Sequence, residues 1–167
     1  RYRLGMHNIH DFFHNSGHNV IKVEVPRSKA LTLALENETG SINVTNMELS
    51  GQAELKTSVG KIEVANLKTP EALLVSTGTG SIHVSSIDSE QSVRLTSQIG
   101  RIQAENIKTG TFFSNSTSGR SSLNDIIASG QFTATGGVGE LLLNQITAQK
   151  MDIRVNASGN INCQNLY

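Results

Sequence analysis

Seven times along the chain a glycine opens a short alternating stretch: GSINV from Gly40, GKIEV from Gly60, GSIHV from Gly80, GRIQA from Gly100, GRSSL from Gly119, GELLL from Gly139 and GNINC from Gly159. The steps between these glycines are 20, 20, 20, 19, 20 and 20 residues. So strict a period admits few architectures, and all of them are arrays of one repeated unit.

Within each unit the apolar residues alternate. Two residues past the glycine stand Ile42, Ile62, Ile82, Ile102, Ser121, Leu141 and Ile161; four past stand Val44, Val64, Val84, Ala104, Leu123, Leu143 and Cys163. The residues between them are mostly polar, with Leu142 the exception. A period of two means a strand with one buried face. A second strand precedes the glycine. Its inward positions are Leu33, Ala53, Leu73, Val93, Phe112 and Phe132, then Leu35, Leu55, Val75, Leu95, Ser114 and Ala134. The last unit slips by one residue and offers Ile153 and Val155. Three residues before the glycine, Asn37, Thr57, Thr77, Ser97, Ser116, Gly136 and Asn156 form a small, mostly polar column that parity turns inward, where hydroxyls can bond turn backbone.

Six residues past the glycine the chain places Asn46, Asn66, Ser86, Asn106, Asp125, Gln145 and Asn165, followed by the apolar Met47, Leu67, Ile87, Ile107, Ile126, Ile146 and Leu166. This suits a turn stacked in register, with Asn46, Asn66, Asn106 and Asn165 as rungs of an amide ladder. The glycines at 40, 60, 80, 100, 119, 139 and 159 suit a corner that a Cβ would crowd.

A 20-residue unit of two strands cannot bury its own apolar face, whereas a stack of such units can. The expected fold is therefore an all-β, single-domain β-solenoid of about seven coils, roughly 30 Å long at about 4.8 Å per coil. A propeller needs about 40 residues per blade, which leaves too few blades to close. The charges agree with the solenoid register: Glu48, Lys68, Asp88 and Lys108 alternate in sign on successive coils, and Glu36 falls beside Lys56.

The segments divide as 1–29, outside the repeat, and 30–167, the solenoid. In the first, Met6, Ile9, Phe12 and Phe13 share one helical face, which predicts a short amphipathic cap helix; Ile21, Val23 and Val25 then alternate as a lead-in strand. His7, His10, Asp11 and His14 share the other face. They are the candidate ligands for a zinc, copper or nickel ion, although the solvated side of a cap helix explains them as well. No cofactor is implied. At the other end no cap follows Tyr167, and the exposed edge of the last coil is expected to pair with another strand, through self-association or a partner.

Zero net charge, with 14 basic and 14 acidic residues, argues against a nucleic-acid partner. No apolar run approaches the roughly 20 residues of a membrane-spanning helix. The single Cys excludes an internal disulfide and a Cys-based zinc site. The Ser76–Gly80 segment lacks the glycine spacing of a dinucleotide turn, and Gly60-Lys61 is followed by Ile62 rather than Ser or Thr. Glu63 stands near Lys61, His83 and Arg101 on the outer side of the second strand, a possible catalytic group that scattered surface charge explains more simply. Four Asn-x-Ser/Thr sequons, at Asn37, Asn43, Asn115 and Asn156, are about what so Asn-, Ser- and Thr-rich a chain contains by chance. Residues 109–149 carry only Arg120, Asp125 and Glu140 as charges. There the outward residues Phe113, Asn115, Thr117, Thr133, Thr135 and Leu142 form a candidate binding face for a glycan, a protein or ice; ordinary β-surface, where Thr is favoured, is the plainer reading.

The units TSVGKIEVAN from Thr57 to Asn66, Thr77 to Ser86 and Ser97 to Asn106 resemble an uncharacterised adhesin β-solenoid domain family found on cell surfaces and in envelope-stress proteins. The resemblance spans about residues 30–166 and carries a fold motif with no catalytic residues. It implies an extracytoplasmic or surface-attached structural module. The repeat, the lack of a catalytic motif and the uncapped end lead to the first reading, a non-enzymatic extracellular or cell-surface module for adhesion or structure, with a protein or glycan partner. Two other readings stand beside it: a carbohydrate-active β-helix enzyme or glycan-binding module, and a head-to-tail filament subunit.

Overall fold

The computed structural model describes residues 32–167. The expected cap helix and lead-in strand, with His7, His10, Asp11 and His14, lie outside these residues. The described chain is a stack of about seven coils, all paired in parallel. Strands β1 (Leu33–Thr39), β2 (Ile42–Glu48), β3 (Ala53–Val59) and β4 (Ile62–Thr69) form the first coils. From Leu73 to Val155 the ladder runs without a break through every corner as one continuous element, β5, and β6 (Gly159–Leu166) completes the stack. β1 pairs with β3 and β2 with β4, each residue facing the one 20 places later, as in Leu33↔Ala53 and Ile42↔Ile62. The same offset joins Gly139 to Gly159.

Each coil has three inward segments rather than the two read from hydropathy. Along the strand before the glycine, side chains alternate inward as at Ala53, Leu55 and Thr57; after it they alternate as at Ile62 and Val64. The column six past the glycine then breaks the parity. Asn46, Asn66, Ser86, Asn106, Asp125, Gln145 and Asn165 all take left-handed backbone, with φ between 52° and 56°. One left-handed residue turns the chain, so the next residue points inward again. Leu67, Ile87, Ile107, Ile126 and Ile146 are buried, and two residues on so are Leu49, Thr69, Ser89, Thr109 and Ala128. Asn and Asp tolerate this conformation best among residues with a Cβ, which explains why they dominate the column. The amide ladder follows in part. Asn66 donates to Asn46 at 3.0 Å and Asn106 to the Ser86 hydroxyl at 3.3 Å. Asn165 instead donates to Asn144, one column away, at 3.0 Å, and Asn144 donates to Asn124 at 2.8 Å.

The other corner demands glycine for two reasons. At Gly60, Gly80, Gly100, Gly119 and Gly139 φ lies between 131° and 149°, and a Cβ would fall within 1.7–1.9 Å of the carbonyl oxygen of the corner glycine one coil below. Gly159 departs from the others and lacks the positive φ. The reason is the slip in the last coil. Met151, Ile153 and Val155 pack against the core, so the turn after Ala148 is one residue short and the corner before Gly159 one residue long. The ladder is interrupted at residues 156–158, and Asn156, expected inward, is exposed.

The single 19-residue step has a location too. From the last inward residue of one coil to the first of the next the spacing is four residues (Leu49 to Ala53, Thr69 to Leu73, Ser89 to Val93), but three from Thr109 to Phe112. In that tightened turn a Cβ on Gly110 would meet the carbonyl oxygens of Gln91 and Glu90 at 2.5 and 2.6 Å.

The core is a single apolar column. Phe112 stacks on Phe132 with ring centroids 5.2 Å apart and planes 7° from parallel. Small residues offset these two large rings: Ser114, Ser116 and Ser121 in the coil of Phe112, Ala134 in that of Phe132. Inward hydroxyls near the turns bond backbone, Thr69 to Gly51 O and Ser89 to Glu71 O at 2.7 Å each. Those of Ser97, Ser114, Ser116 and Ser121 have no hydrogen-bond partner.

Candidate functional site

The outer surface presents two faces that meet at the glycine corner. On the first, formed by the strand before each glycine, the side chains of successive coils stand in columns about 4.8 Å apart. One column runs Glu54, Leu74, Arg94, Phe113 and Thr133; its neighbour runs Glu36, Lys56, Ser76, Thr96, Asn115 and Thr135. The charges of this face lie toward its first coils, where Lys56 and Glu36 pair at 3.2 Å. Over the coils of Phe113 and Thr133 it carries no charge, and the last coil restores it, with Arg154 donating to Asp152 at 2.7 Å. Arg94 places its guanidinium 4.2 Å from the centre of the Phe113 ring, one coil away, a cation–π contact that holds both side chains against the surface. Gln131 donates to the Thr133 hydroxyl at 3.2 Å. Phe113, Asn115, Thr133 and Thr135 are half-buried and Thr117 is exposed. These five share the face. Leu142 does not: it follows the corner Gly139, pairs with Asn162 in β6 and belongs to the second face. The six residues grouped in the sequence are therefore five on one side and one around the corner, because the glycine lies between them in the coil.

The second face carries the strand after each glycine. Lys61, Glu63, Ser81, His83, Arg101 and Gln103 line a shallow depression of about 340 Å³ over Ile82. Hydropathy placed Glu63, Lys61, His83 and Arg101 on one outer side; the register explains why they converge, with Glu63 directly beside His83 on the next coil. Lys61 forms an ion pair with Glu63. His83 Nε2 lies 3.8 Å from a carboxylate oxygen of Glu105. Farther along, Arg120 pairs with Glu140 at 2.7 Å. Arg101 makes no ion pair or side-chain hydrogen bond among the described residues. The depression exists because Ser81 is short and sits between two long cations, Lys61 and Arg101, in one column. The charged members stand out in the sequence, whereas neither Ser81 nor Gln103 carries a signal beyond its column position.

Chemically the depression offers cations, an imidazole, an amide and a hydroxyl. Glu63 is its one lining carboxylate, and it is already paired with Lys61. Hydrolysis of a glycosidic bond ordinarily uses two carboxylates flanking the scissile bond; ion and hydroxyl recognition needs only what is present. Among the described residues no group of three His, Cys, Asp or Glu side chains is arranged to hold a metal ion, and no helix is long and apolar enough to cross a membrane. Of the charged pairs expected between coils, Glu36–Lys56 forms, and Glu48–Lys68 reaches 4.0 Å. The free thiol of Cys163 is exposed in β6, and partial burial raises its pKa above the ordinary value.

Comparison of the chain with protein-family models, with curated proteins and with solved structures gives no match.

Proposed function

We propose that the protein is a non-enzymatic surface module that uses its rigid solenoid as a platform for adhesion to a protein or glycan outside the cell. The observation that carries this reading is the neutral array of Phe113, Asn115, Thr117, Thr133 and Thr135 on a single face. The continuous ladder beneath it fixes its side chains in rows, and Arg94 further restrains Phe113. A pre-ordered array loses little conformational entropy on binding, so weak polar contacts add up to useful affinity. The resemblance of the repeats to surface adhesin domains supports the same reading.

The test is direct. The protein is immobilised and exposed to glycan arrays and to cell surfaces, beside the doubly substituted Thr133→Glu, Thr135→Glu variant. Both positions are outward, so folding should survive, and binding should fall at least tenfold. A wild-type protein that binds none of these surfaces refutes the proposal.

A further inference from the structure

The depression on the second face goes beyond this reading and does not depend on it. We infer that it is a binding site for an acidic sugar, one bearing a carboxylate or sulfate group beside free hydroxyls. Lys61 and Arg101 stand in one column two coils apart, about 9.6 Å between backbones at about 4.8 Å per coil. Ser81 lies between them and leaves the gap open. The remaining cation of that column in the later coils, Arg120, is occupied by Glu140; Arg101 keeps its guanidinium donors unused among the described residues. A guanidinium presents paired donors that match the geometry of a carboxylate or sulfate. Lys61 has three donors, and its ion pair with Glu63 leaves at least one to turn toward an anion. The other lining groups suit hydroxyls: the half-buried Ser81 hydroxyl, the Gln103 amide and the His83 ring all accept or donate hydrogen bonds.

The same lining disfavours other oxyanions. No Phe, Tyr or Trp borders the depression, so the broad ring faces that best stack a nucleobase are absent from its lining. Glu63, paired with Lys61, and Glu105, 3.8 Å from the His83 ring, repel a densely charged polyanion more than a single negative group held between Lys61 and Arg101. This makes Arg101 the anchor, Lys61 the second cation and Glu63 a restraint that weakens the site.

The experiment follows amide chemical shifts of residues 61–63, 81–83 and 101–103 during titration with glucuronate, a sulfated disaccharide, neutral glucose and inorganic sulfate. Glucuronate or the sulfated sugar is expected to shift these amides at millimolar concentrations, with glucose weaker by about tenfold or more, one charge-assisted contact being worth roughly that factor. Arg101→Gln should weaken binding about tenfold. Glu63→Gln should strengthen it several-fold, because it frees Lys61 and removes a repelling charge. Both side chains are on the surface, and unchanged thermal unfolding would show that the variants fold. The assignment is overturned if none of the acidic probes shifts these amides, if Arg101→Gln leaves binding unchanged, if Glu63→Gln weakens it, or if inorganic sulfate binds as tightly as the sugars.

Discussion

The corner glycine is the position where one methyl group should do most damage. In Gly100→Ala the new Cβ would lie 1.7 Å from the carbonyl oxygen of Gly80. That is 1.3 Å inside the 3.0 Å that real Cβ contacts respect. Relief requires the two coils to part locally by about a quarter of their 4.8 Å spacing, which breaks two or three ladder hydrogen bonds at about 1 kcal/mol each. The backbone adds strain, since φ is 143° at Gly100, a region that costs a residue with a Cβ about 1–3 kcal/mol. The sum is about 3–6 kcal/mol, a large share of the 5–15 kcal/mol typical of a domain. Gly136→Ala is the matched control: its Cβ would meet only a Val155 methyl at 3.4 Å, an ordinary contact, and its φ is not left-handed. That substitution should stabilise by about 0.4–1 kcal/mol through the unfolded chain. Urea unfolding followed by circular dichroism measures both. Gly100→Ala should lower the midpoint strongly, and the melting temperature by about 10 °C or more. Equal stability of the two variants would refute the close-approach argument.

Other substitutions test other columns. Ser86→Asn should stabilise by about 0.5–1 kcal/mol, because Asn tolerates the φ of 55° better and would restore a rung between Asn66 and Asn106; a lower urea midpoint would contradict the role assigned to that corner. Phe112→Ala should cost about 3–5 kcal/mol in the same assay, since it empties a fully buried site stacked on Phe132. Ser121→Ala should gain about 0.5–1 kcal/mol by removing a buried hydroxyl that lacks a partner; a clear loss would show that the hydroxyl is satisfied in solution. Lys56→Gln should change stability by less than about 1 kcal/mol, because both members of the Glu36 pair are more than half exposed; a larger change by urea titration would mean that the pair belongs to a wider network.

Much of this architecture is legible in the amino-acid sequence. The seven glycines, the alternation around them and the 20-residue offset between partners are local patterns. A side chain's direction in a strand alternates with period two, so residues such as Ile62 and Val64 reveal their burial through their neighbours alone. Register follows as well, since shifting a coil by one residue would turn its apolar set outward. What hydropathy does not show is how the chain bends. The left-handed conformation at Asn66 and its counterparts reverses the parity and creates a third inward segment, which buries the polar Thr69 and Ser89 with no apolar character of their own to mark it. Likewise Leu142 looks like a neighbour of Thr135 until the corner at Gly139 places them on different faces. The depression between Lys61 and Arg101 depends on side chains 40 residues apart meeting across two coils. Such meetings are set by backbone torsions at corners and by the stacking distance, and neither quantity is written in the apolar pattern of any single coil.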